Sequence, residues 1–169
     1  VTFYDHDEMG AQRAKEIGRR LRLSQRQSQM VVTFVRHHMR PLHLMKVSSL
    51  TRRAMYRFFR DTHGEGLGVL LHSLADIRGT GTIPSADEIQ WRVMARKMAG
   101  MYDEGLRQGE PLPKLISGGD VIEILGLSQG PKVGAILEKV REAQAVGEVR
   151  DRESAIQWIQ KIKETTLHV

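Results

Sequence analysis

The chain of 169 residues has 40% hydrophobic and 27% charged residues, no cysteine and a formal net charge of +6. This is the composition of an ordinary folding chain, long enough for one domain with a real core or for two small ones. It excludes disulfides, thiol catalysis and cysteine-ligated zinc, and no apolar run nears the roughly 20 residues that a membrane-crossing helix needs.

The first residues, VTFYDHDEMG, carry acidic groups early and lead into no apolar stretch, so they do not read as a secretory leader. With no leader and no cysteine, the cytoplasm is the expected compartment. The chain starts abruptly beside a helix start, as expected of a piece of a longer protein. A first helix is predicted from about Glu8 to residue 23, with Ala11, Ala14, Ile17 and Leu21 as its inward stripe. A second, over 25–38, places Met30, Val31, Phe34, Val35 and His38 roughly on one face, and Met39-Arg40-Pro41 stops it. A third, over 49–61, has Leu50, Ala54, Tyr56, Phe58 and Phe59 as its apolar positions. Gly64-Glu65-Gly66-Leu67-Gly68 follows no strand and reads as an interhelical loop, not a phosphate loop. Leu67, Leu70, Leu71, Leu74 and Ile77 then make the stripe of a fourth helix.

Gly79-Thr80-Gly81-Thr82-Ile83-Pro84 is the plainest break in the chain and divides it into 1–82 and 83–169. Ser85-Ala86-Asp87-Glu88 matches a capping box and opens a long helix to about Arg107. Its Trp91, Met94, Met98 and Met101 read as core filler. From Leu115 to Gly147 the pattern is helix, tight loop, helix. Ser117 is the N-cap, with Asp120 in the first turn, and Gly126 is a left-handed stop. Pro131 sits at the first position of the next helix, and Val133, Ile136, Leu137 and Val140 form one face. Asp151 caps a last helix with Ala155, Ile156, Ile159 and Ile162 inward. No segment alternates with period 2, so the fold class is all-α: an irregular bundle of about seven to eight helices.

The positive charge suits a polyanionic partner through steering. Arginine crowds two segments, Arg13 to Arg26 and Arg36 to Arg60. Guanidinium groups suit phosphate; the alternative is a set of solvated helix faces. In the loop Gly130-Pro131-Lys132-Val133-Gly134, free N–H groups and the positive helix end would point outward, glycine would admit a phosphate, and Lys132 would add a charge. This is a phosphate-backbone clamp in outline, or else a plain connector. Of the seven histidines, none forms an HExxH or other close-spaced metal pattern. His37 and His38 cannot share an ion from one helix face.

The order L-I-S-G-x-D, L-G-L, G-P-K-V-G, I-L-E-x-V-R-E-A-Q and G-E-V across 115–149 resembles the C-terminal tail of the tRNA nucleotidyltransferase and bacterial poly(A) polymerase family. The loop alone is also similar to helix-hairpin-helix modules, although Ser128-Gln129 makes its turn longer. Phe3 to Ala11, Arg20 to Ser24 and Leu74-Ala75-Asp76 are similar to the middle of an HD-type helical domain. The resemblance covers nearly the whole chain but only the C-terminal part of the family's architecture, and it implies an HD-like body over 1–82 and a helical tail over 83–169. It implies RNA binding, tRNA foremost, with Gly130, Pro131, Lys132, Gly134, Lys139, Arg36, Arg40, Arg52 and Arg53 on the RNA backbone.

The resemblance also implies that catalysis lies in a head outside this stretch. That head would use magnesium and ATP or CTP on a Gly-Ser loop followed by Asp-x-Asp on a strand. Nothing here matches that pattern, so the longer protein is expected to be an enzyme and this stretch alone is not. No catalytic residue, metal or cofactor is expected in it. The HD doublet that normally lies upstream is missing, which leaves His6, His37 and Asp76 as vestigial metal candidates. The alternatives are a metal-dependent phosphohydrolase of the HD type and a DNA-binding helix-hairpin-helix module. Oligomeric state and the choice among CCA, A and poly(A) addition stay open.

Overall fold

A computed structural model describes residues 6–80, 85–103 and 112–166. Among the described residues there are nine α-helices and no strand, an all-α fold. The helices fall into two compact units, Val1–Glu104 and Gly105–Val169. The Gly/Pro break expected to divide the chain lies at 79–84, and 81–84 are outside the described residues. The helix that follows it packs on helices of the first unit.

The first unit begins with a helical hairpin, α1 (His6–Arg20) against α2 (Gln25–His37). Small residues make their contact. A Cβ on Gly10 would stand 2.9 Å from Val35 Cγ1, and one on Gly18 would stand 3.2 Å from Ser28 Oγ. Ala11 is buried between the helices, whereas Ile17 and Leu21, expected inward, are 51% and 67% exposed. Close backbone approach leaves no room for large side chains on the inner face, so they stand on the outer one. α2 starts in a capping box in which Ser24 accepts from Gln27 and Gln27 returns the bond. Its buried residues are Val32 and Thr33, one step round from the expected face.

Pro41, expected only to stop α2, also opens a short helix, α3 (Arg40–Met45), where its missing N–H costs nothing. α4 (Arg52–Asp61) is capped by Thr51 and buries Met55, Tyr56, Phe58 and Phe59. Thr62, fully buried, donates its hydroxyl to the Phe58 carbonyl at 2.9 Å. The chain then turns through two left-handed residues, His63 and Gly64, into α5 (Gly66–Thr80).

The glycine-rich run is a packing device. A Cβ on Gly66 would lie 2.5 Å from Phe59 Cδ1, and one on Gly68 would lie 2.6 Å from Phe34 Cζ. α5 buries Val69, Leu70, Ser73 and Ile77, while Leu71 from the expected stripe is exposed. α6 (Ser85–Met101) buries the Trp91-Met94-Met98-Met101 stripe and packs on α3, α4 and α5.

The second unit holds α7 (Gly118–Leu125), α8 (Pro131–Ala145) and α9 (Arg152–Thr166) around one core. Ile116, Val121, Val133, Val140, Ala143 and Ile159 are among its buried residues, with Leu125, Ile136 and Leu137 packed on them. Its ends are fixed locally. α7 stops at Gly126, φ +66°, with the Leu127 N–H bonded back to the Ile122 carbonyl at 3.2 Å. α8 stops the same way at Gly147, φ +85°, with the Glu148 N–H on the Ala143 carbonyl at 2.9 Å. Among the described residues no helix is long and apolar enough to cross a membrane.

Candidate nucleic-acid interface

The N-terminus of α8 differs from its neighbours. Side chains cap α2, α4, α7 and α9, through Ser24, Thr51, Ser117 and Asp151. α8 begins at Gly130, which offers no side-chain cap, and its first turn holds no acidic residue. Pro131 at the first position removes one orphan donor, and the Val133 N–H bonds the Gly130 carbonyl at 3.1 Å, so the Lys132 N–H and the positive end of the helix remain for an outside partner. Lys132 is exposed there, and Lys139 follows two turns later on the same side. Gly134 is exposed inside the helix, and a Cβ on it would meet nothing within 4 Å. Packing within the chain therefore does not require glycine at 134, although glycine costs about 1 kcal/mol against alanine in a helix. Absence of a side chain there leaves the backbone open to a close external approach.

The start of α7 is tied to the start of α9. The Ser117 N–H and hydroxyl both donate to Asp120, at 2.6 and 2.7 Å, and the Asp120 N–H returns a bond to Ser117 Oγ. Arg152, the first residue of α9, donates to both oxygens of the same carboxylate. The Arg152 guanidinium first, and Ser117 second, hold the Asp120 carboxyl well below the usual carboxylate range. A carboxyl held down contributes stability that is complete above its unfolded value of about 4 and is lost as pH falls through its folded value. Asp120→Asn should therefore lower the melting temperature at pH 7, and the gap to the parent should close as pH falls from about 5 toward 2. Thermal melts across that range check this; a gap of constant width would mean that the charge contributes nothing.

In the first unit the expected arginines have different surroundings. Arg36 forms a two-pronged ion pair with Glu8, both bonds 2.8 Å, tying α2 to α1. Arg40 pairs with Asp61 at 2.8 Å and lies over the Phe58 ring. Burial pushes the Asp61 carboxyl up, but hydrogen bonds from Arg60 and Arg40 bring it below its ordinary value. Both guanidinium groups thus already face a carboxylate within the fold. Arg52 and Arg53 sit in the first turn of α4.

The histidines gather otherwise than expected. His6 meets His38 edge-on at 5.5 Å, and His38 lies 6.4 Å from His72. His37, one helix step round, is half-buried, and burial, with Arg40 next, pushes its imidazole below the ordinary value. Asp76 is exposed on α5. Adjacent positions such as 37 and 38 give no sequence signal for which one faces α1. Among the described residues no group of three or more His, Asp or Glu is placed to hold a metal ion.

No family model matches the chain. It is 30% identical over 169 residues to an A-adding tRNA nucleotidyltransferase of Deinococcus radiodurans, covering 98% of this chain and 36% of that protein. It is 32% identical over 153 residues to a CC-adding tRNA nucleotidyltransferase of Thermus thermophilus, covering 90% of this chain and 32% of that protein. A CC-adding tRNA nucleotidyltransferase of Geobacter sulfurreducens matches at 42% over 52 residues, 31% of this chain and 12% of that protein. The chain spans about a third of the length of the first two relatives. Over that segment the chain is similar to the C-terminal region of tRNA nucleotidyltransferases.

Proposed function

We propose that the chain is the RNA-holding portion of a tRNA nucleotidyltransferase that adds CCA, CC or A residues to RNA 3′ ends. The observation that carries this is the match over 98% and 90% of the chain to proteins of that name about three times its length. The transfer chemistry needs close carboxylates holding two metal ions. Magnesium and ATP or CTP accordingly belong to the rest of the longer protein, and no transfer step is assigned to these residues. The compartment is the cytoplasm.

This chain's part is to bind and orient. The uncapped start of α8 takes an RNA phosphate on the Lys132 N–H and the positive end of the helix, with Gly130 and Pro131 at the approach. Gly134 lets the backbone close in, and Lys132 and Lys139 offset the charge. Arg52 and Arg53 add positive potential in the first unit, and Arg36 and Arg40, each beside a carboxylate, would meet the RNA only by sharing their guanidinium groups. Recognition is by shape and phosphate, because the bases of an A-form helix are hard to reach. The test is a salt-dependent titration of the 169-residue chain with unmodified tRNA against a DNA duplex competitor. Preference for tRNA, weakening as salt rises, is the expected result. Preference for the duplex would favour a DNA-binding helix-hairpin-helix, and binding to neither would end the RNA-holding reading.

A further inference from the structure

From Ile17 to Arg60 the sequence holds no carboxylate, while it holds ten arginines and Lys46. Four of those arginines cluster at one end of the α1–α2 hairpin. Arg19 and Arg20 close α1, Arg22 is in the turn, and Arg26 lies in the first turn of α2, all exposed. No acidic residue lies among them in sequence.

The turn is costly as built. α1 ends with the Leu23 N–H on the Gly18 carbonyl at 2.9 Å, which puts residue 22 in the left-handed position, φ +54°. The chain fills the equivalent position with glycine at the ends of α7 and α8, but here it keeps an arginine. A strained backbone that persists marks a position held for something other than its own stability.

Beside this tip a groove of about 700 Å³ runs along the seam of the two helices. Lys15 and Arg19 line it from α1, and Gln25, Ser28 and Gln29 from α2. The Arg36–Glu8 pair lies at its far end. Cations beside neutral amides and a hydroxyl suit a sugar-phosphate strand whose 2′-hydroxyls both donate and accept.

We propose that the hairpin tip and this groove form a second RNA-backbone site, which takes successive phosphates of one strand. It rests on the RNA-holding reading and is separate from the α8 loop. The test uses the full 169-residue chain and unmodified tRNA. The double variant Arg19→Gln/Arg26→Gln should bind about tenfold more weakly at 0.1 M salt, with a log–log salt slope shallower by about 2. Arg22→Gly should raise the melting temperature by about 2 °C, since it relieves the left-handed strain, and still weaken tRNA binding. A purely structural role would give the gain in melting temperature with no loss of binding.

Unchanged affinity and slope in these variants, in a chain that Lys132→Glu does weaken, would overturn this site and leave the RNA-holding reading in place. A parent chain that binds no tRNA would remove both. Equal weakening toward a DNA duplex would overturn the assignment to RNA.

Discussion

Lys132→Glu is expected to lower tRNA affinity about tenfold at 0.1 M salt and to flatten the salt slope by about 1. Lys132 is exposed in the first turn of α8, a helix with no side-chain cap and no acid in that turn. Reversing its charge replaces attraction for a phosphate by repulsion at the same spot. Folding responds in the other direction. An acidic residue near a helix N-terminus contributes about 0.3–1 kcal/mol of stability, so the melting temperature should hold or rise. The opposite signs separate a binding defect from a folding defect in one variant. Filter binding across a salt series, with a thermal melt alongside, reads both. Unchanged affinity and slope would remove the α8 loop from the RNA surface.

Val121→Asp is expected to unfold the second unit. Val121 has no exposed surface and sits in the cluster that joins α7, α8 and α9. An aspartate there loses apolar burial and places an unpaired carboxyl in an apolar core, together more than about 4 kcal/mol. A three-helix unit of this size has little stability to spare, since whole domains hold only about 5–15 kcal/mol. Nuclear magnetic resonance would show amide dispersion collapsing for residues 112–166. Binding through the α8 loop should vanish with it, because the core sets the geometry of that loop. Dispersed signals for these residues in the variant would show that α7 is not packed as described.

Much of the second unit was legible in the sequence, because its signals are local. Ser117 with Asp120, Gly126, Pro131, Gly147 and Asp151 each fix an end within a few residues of themselves, and apolar spacing supplies the faces. The first unit was less legible because its contacts are long-range. Nothing near Arg36 or Arg40 in the chain shows that they pair with Glu8, 28 residues away, and Asp61, 21 residues away. α3 is six residues long, too short for periodicity to register. In α1 the rule that large apolar residues face inward fails, because glycine and alanine make the contact. The histidines show the same limit, since His38 and not His37 meets His6.

The glycine seam between α1 and α2 makes mutational tolerance in α1 run inside out. Outer positions occupied by isoleucine and leucine, Ile17 and Leu21, are more than half exposed in this chain and should accept lysine or glutamine in a deep substitution scan. The inner position Gly10 has no space for a single methyl group beside Val35, and alanine there should be among the least accepted changes in the helix. A substitution matrix that scores glycine as dispensable and leucine as essential would rank this helix in reverse order.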